Sequence, residues 1–242
     1  MALEGLDKIN WTELHHAYGA ATGVPDMLRG LLSTESEIRQ QSLENLVWSI
    51  AHQGSVYSAT PVTVPFLVEL LNDPDTLGKA GIAGLLRFII DSCFQHLEAL
   101  AEHGDVRDLD FNSYKSIIES TIGSVTVHCE LYFEMLKRNE PEIQTELLNL
   151  LSFCKNLSSK TIQDLISTGF ESRFSIFGSM VICTVYRLKD GFYKNNNFTD
   201  IEDNQFIDLM KQNCFLESSP SFNYISALYL IKLAGEKNFR DR

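Results

Sequence analysis

Apolar residues recur at helical spacing along almost the whole chain, and alternating strand-like runs flanked by turn residues are hard to find. The pattern predicts an all-α protein. Pro25 opens a short helix over residues 24–33, with Met27, Leu28, Leu31 and Leu32 on one side; proline is pre-organised for a helix's first position. After the turn Ser33-Thr34-Glu35, a second helix is expected over about 36–52. Leu43, Leu46, Val47 and Ile50 gather on its apolar face, and Gly54 is its stop.

The same hairpin then recurs. Val64-Pro65 repeats Val24-Pro25 forty positions on, and Leu70-Leu71 repeats Leu31-Leu32 after thirty-nine. A longer second helix, over about 78–102, carries Leu86, Ile89, Ile90, Cys93, Leu97 and Leu100 and ends at His103-Gly104. A third copy appears at a shift of 105 residues, which superimposes Leu31 on Leu136, Glu37-Ile38 on Glu142-Ile143, Leu43 on Leu148 and Leu46 on Leu151. A two-helix unit of about 35 to 45 residues cannot bury its apolar face alone, so such units stack into a solenoid. One α-solenoid domain of antiparallel hairpins over 1–242 is therefore expected, with its clearest repeats at 24–155. Divergent helices follow at 160–168, 172–188, 204–215 and 221–234, and loops are expected at 104–110 and 190–197.

At about 100° per residue, Glu37, Gln41, Glu44, Trp48 and His52 fall opposite the apolar face of the first long helix. On the next one Arg87, Asp91, Gln95, Glu98 and Glu102 do the same, and on the third Glu142, Glu146, Asn149 and Phe153. Trp48 and Phe153 occupy equivalent places, 105 residues apart. An aromatic among polar neighbours has the composition of a binding hot spot, or it packs between adjacent helices; spacing leaves both open.

Charge sharpens this picture. With 32 acidic against 20 basic residues the formal charge is −12, a field that repels phosphate backbones and anionic membranes. Direct nucleic-acid or membrane partners are not expected, and a protein with a basic surface is. The alternative is a surface that is acidic merely for solubility. Cysteines 93, 129, 154, 183 and 214 are odd in number and contain no C-x-x-C pair, so they read as reduced, buried thiols. The first residues lack the basic segment and apolar run of a signal peptide, which places the protein in the cytosol.

The stretch Glu37-Ile38-Arg39 followed by Leu43 and Leu46 resembles the opening of a HEAT-repeat second helix, although the third copy has Gln144 where Arg39 stands. Segments 11–19, from Trp11 through His15-His16 to Gly19, and 51–67, from Ala51-His52-Gln53-Gly54 to Val64-Pro65-Phe66-Leu67, are similar to segments of bacterial HEAT-like proteins of undefined activity. That resemblance covers about the first 75 residues. It implies second helices lining a concave side, where the three stripes would join into one acidic surface. Some proteins of this broad type stand beside polymorphic toxins, which implies an immunity role.

His15, His16, Tyr18, His52, Gln53 and Tyr57 form the densest polar and aromatic group. Adjacent histidines do not easily converge on one ion, and no H-x-x-x-H or H-E-x-x-H spacing is present, so no metal is expected. A spaced nucleophile, base and orienting carboxylate are missing too, so no catalytic residue and no cofactor are assigned. The structural reading is that His52, Gln53 and Thr60 hydrogen-bond exposed helix ends at a sharp corner. The expectation is thus a non-catalytic module that binds another protein, most specifically an immunity protein neutralising a basic, nucleic-acid-targeting toxin. An adapter of a cellular complex is the alternative, and an enzyme resembling bilin lyases is a third reading. A helical-repeat DNA glycosylase would need a basic groove, which the charge disfavours.

Overall fold

A computed structural model of the chain describes residues 3–102, 109–138, 140–154, 157–158, 160–161 and 164–165, with the helical backbone alone at 98, 101–102 and 109–111. The helices expected at 172–188, 204–215 and 221–234, the loop at 190–197, Cys183 and Cys214 lie outside the described residues. The segments 104–110 and 160–168 are described only in part.

The described chain is predominantly helical. Its helices are α1 (Val24–Gly30), α2 (Ser36–Ile50), α3 (Ala59–Asn72), α4 (Lys79–Glu102), α5 (Leu109–Thr126), α6 (Cys129–Lys137) and α7 (Pro141–Leu151). It divides into two compact units, Met1–His128 and a second beginning at Cys129. The extents of α1, α2 and α4 follow the hydrophobic spacing closely. A departure from pure helix is a short antiparallel ladder of β1 (His15–His16) and β2 (Gly19–Ala20), with His15 opposite Ala20 and His16 opposite Gly19. Gly19, which opens β2 directly after the two-residue turn Ala17-Tyr18, adopts φ +120°, where a Cβ would be strained.

In the first unit α1 packs on α2 and α3 on α4, while α1 also meets α3 and α2 meets α4. Leu28, Leu46, Ile50, Leu67, Leu71, Leu86 and Ile90 are buried in this unit. The α2–α4 approach is close because Gly81 has no side chain: a Cβ there would strike Leu43. Helix α5, in a stretch where the repeat pattern marks no element, lies against both α3 and α4 and buries Ile118, Thr121 and Val125.

The N-terminal segment docks on this unit. Trp11 is buried, gives its indole N–H to the Leu6 carbonyl at 3.0 Å and sets its ring 6.4 Å from that of Phe66. The Leu3 N–H reaches Glu69 at 2.8 Å, and Arg29 of α1 pairs with Asp7 and Asp26.

The proline repeat misleads at α3. This helix starts at Ala59, and Pro65 sits inside it on the exposed side, where its missing N–H leaves the Pro61 carbonyl without an intrahelical donor. The start is built by Thr60, whose hydroxyl accepts the Tyr57 N–H at 2.8 Å and donates to the Ile50 carbonyl at 2.6 Å. Arg39, the residue that carries the HEAT-like signature, reaches back to the Ser33 carbonyl at 2.8 Å and braces the α1–α2 turn.

In the second unit α6 packs on α7 around Tyr132, Leu136, Ile143, Leu147 and Leu151. Cys129 and Cys154 form a disulfide, which overturns the expectation of reduced thiols for this pair. Cysteine spacing is blind to pairs that meet when two helices fold back, and Cys129 opens α6 while Cys154 follows α7. Cys93 is a free buried thiol. Beside the bridge, Glu130 accepts the Ser158 N–H at 2.8 Å and the Thr161 hydroxyl at 2.7 Å. Among the described residues no helix is long and apolar enough to cross a membrane.

Candidate functional site

Among the described residues, exposed rings and polar groups gather at the C-terminal end of α2. The last carbonyls of a helix lack intrahelical donors, and here two receive them from elsewhere. Ser49 O accepts the Ala17 N–H at 2.9 Å, and Ile50 O takes the Thr60 hydroxyl. The first of these bonds pins the β1–β2 turn onto the helix end, and the His15 N–H, bonded to the Ser58 hydroxyl at 2.8 Å, holds the same turn from the α3 side. Beyond α2 the chain bends through a short turn, His52–Gly54, in which Gln53 (φ +51°) and Gly54 (φ +82°) are both left-handed.

These restraints bring four rings into one chain. Trp48 and His52, one turn apart, have ring centroids 5.3 Å apart. His52 meets Tyr18 edge-on at 5.5 Å, and its Nδ1 lies 3.3 Å from the Tyr18 hydroxyl. Tyr18 meets His16 at 6.1 Å, and the Tyr18 N–H donates to His16 Nδ1 at 3.0 Å, so the neutral His16 ring keeps its proton on Nε2. The cluster is not core. Trp48 is 54% exposed and Tyr18 65%.

The structure thus joins two features that the sequence holds apart: the stripe on α2 and the histidine-tyrosine group meet at His52. Tyr18 and His16 were not among the stripe residues, and their approach depends on the Ala17–Ser49 bond, which no spacing rule shows. The corner reading holds for Thr60, which bonds two backbone groups. The His52 ring instead faces Tyr18 and Trp48, and the His15 and Gln53 side chains are exposed.

Along α2, Glu37, Gln41, Glu44 and Trp48 are exposed. Gln40 gives its amide N–H to Glu44 at 2.7 Å, and Gln41 gives its own to Asn45 at 3.0 Å. The stripe on α4 is described in part. Asp91 is bound by Arg87 at 2.7 Å, both half-buried, Gln95 is exposed, and the side chains of Glu98 and Glu102 lie outside the described residues. In the second unit Glu142 is exposed and Glu146 and Asn149 are half-buried on α7. Phe153 differs from Trp48. The helix ends at Leu151, where Ser152 bonds Asn149 O at 2.6 Å, so Phe153 sits half-buried in the following turn.

Behind the His52–Gly54 turn, a Cβ on Gly54 would meet the Ser92 hydroxyl at 3.3 Å and His96 Nε2 at 4.0 Å. His96 faces the ring of Tyr114 edge-on at 5.6 Å. Burial raises the Tyr114 phenol, with Ser55 and the Val56 backbone opposing, and burial pushes the Cys93 thiol up to about 12. Cys93 is therefore a poor nucleophile at neutral pH. Among the described residues no group of three or more His, Cys, Asp or Glu side chains could hold a metal ion.

No family model, curated protein or solved structure matches the chain. The functional reading accordingly rests on the residues themselves.

Proposed function

We propose that the chain is a HEAT-like α-solenoid protein that binds another protein without catalysing a reaction on it, and that the partner is a toxin domain with a basic surface. The observation that carries this reading is the exposed Trp48–His52–Tyr18 cluster, with the exposed Glu44 one turn before Trp48 on α2. A large aromatic held in the open by backbone bonds has no role in the core of its own unit, and tryptophan and tyrosine anchors dominate protein interfaces. The stacking of α1 on α3 and of α2 on α4 supports the repeat reading. The net charge of −12 favours a basic partner through steering.

The test is purification of the tagged chain from its native host with mass spectrometry of what accompanies it, followed by co-expression. A basic toxin domain recovered at unit stoichiometry, whose toxicity the chain suppresses, supports the proposal. Recovery of a housekeeping complex with no effect on toxicity turns the reading to an adapter.

A further inference from the structure

The aromatic cluster has a charge environment that selects among occupants. From Asn10 to Leu28 the sequence contains Glu13 and Asp26 and no lysine or arginine. From Leu31 to Gly78 it contains Glu35, Glu37, Glu44, Glu69, Asp73 and Asp75 against Arg39 alone. The Arg39 guanidinium is turned toward the Ser33 carbonyl, at the opposite end of α2 from Trp48. The β1–β2 turn and α2, which build the cluster, therefore bring aromatic faces and the carboxylates of Glu37 and Glu44 against Arg39, while Arg29 of the neighbouring α1 is paired with Asp7 and Asp26 and Arg87 of α4 with Asp91. An apolar partner side chain would use the rings and ignore the carboxylates; an anionic one would be repelled. A guanidinium uses both, because its plane stacks on indole and phenol faces while its N–H groups satisfy carboxylates.

We propose that the Trp48–His52–Tyr18 cluster receives an arginine side chain of the partner protein, stacked on the exposed rings with the Glu44 carboxylate beside it. This rests on the protein-binding reading above and names the chemistry of the contact. Trp48 is the anchor, Tyr18 is fixed by its contact with His52, and Glu44, one turn before Trp48, is the nearest carboxylate along the helix.

The second tryptophan makes the test clean. Trp11 is buried with its indole N–H bonded to Leu6 O, so a soluble quencher or cation changes the emission of Trp48 first. The full chain is titrated with a short Gly-Arg-Gly-Arg-Gly peptide and with its citrulline counterpart, which keeps the shape and loses the charge. The arginine peptide is expected to change Trp48 emission and to bind on the order of tenfold more tightly than the citrulline peptide. Glu44→Gln should weaken it and flatten its salt dependence, and Trp48→Leu should abolish it while melting as wild type does. Equal binding of the two peptides, no response to the arginine peptide at millimolar concentration, or unchanged binding by Trp48→Leu followed by NMR overturns the proposal. The two readings fail separately. If Trp48→Leu loses the native partner but the arginine peptide does not bind, the binding module stands and the arginine contact falls.

Discussion

Thr60 and Trp48 stand at opposite ends of the exposure scale. The Thr60 hydroxyl is fully buried and serves two backbone groups at once. Thr60→Val keeps the shape and strands the Tyr57 N–H and Ile50 carbonyl, so it should cost about 1–3 kcal/mol in a denaturant melt; Thr60→Ser should recover most of it. Trp48→Ala removes a ring that is more than half in water. It should leave the melting temperature nearly unchanged while costing on the order of 2 kcal/mol or more in partner affinity by calorimetric titration. A large loss of melting temperature, with unchanged affinity of the folded fraction, would show that Trp48 is a wedge and not an anchor. The reach of sequence reasoning differs for these two residues. The spacing of Trp48 and His52 put both on the polar face of one expected helix, whereas α2 ends at Ile50 and His52 stands in the turn beyond it; the ring that completes the cluster, Tyr18, arrives through a backbone bond between segments 32 residues apart, Ala17 to Ser49.

Among the elements, hydrophobic period was a good guide where a helix has one buried face. It located α1, α2 and α4 to within two or three residues. It failed at α3, whose buried positions run almost all round the helix and whose internal Pro65 mimics a start. It also passed over α5, where Ser, Thr and Asn dilute the apolar stripe that packs on α3 and α4. Helix contact makes its own prediction through two glycines of α4. Gly81→Ala puts a Cβ against the Cδ2 tip of Leu43, which has to swing aside, and should lose part or all of the roughly 0.5–1 kcal/mol that helix propensity offers. Gly84→Ala meets nothing within 4 Å and should stabilise by roughly 0.5–1 kcal/mol through helix propensity. Equal effects in paired thermal melts would contradict the tight α2–α4 approach. In the second unit, the Cys129–Cys154 bridge closes a sequence separation of 25 residues. Replacing both cysteines by serine should cost about 3.5 kcal/mol in the loop-entropy account, read as an earlier transition that reductant no longer shifts.

For the molecule as a whole, pH dependence follows from groups that burial keeps neutral. Cys93 is pushed from 9.0 up to about 12, and the phenols of Tyr114 and Tyr132 are raised as well. Each holds its proton more tightly when folded, so the stability it contributes is present below the unfolded pKa and is lost as pH rises from about 9 toward the folded value. His128 has the opposite sense. Burial lowers it from 6.5, so the unfolded chain binds the proton first and stability falls as pH drops below about 6.5. Melting temperature should therefore peak between these limits and fall more steeply on the alkaline side; a profile flat from pH 7 to 11 would show that these groups are hydrated.

The docked N-terminal segment also sets an order of events. Leu3 and Trp11 take their partners from Glu69 and Phe66 of α3, up to 66 residues further along the chain. During synthesis at ~5–20 residues per second, the segment from Leu3 to Trp11 must wait several seconds for the surface that covers it. Its seating is a late, long-range closure made after α1 and α2 can already pair. In a Trp48→Phe background, Trp11 emission should report that closure as a refolding phase slower than the rise of helical signal.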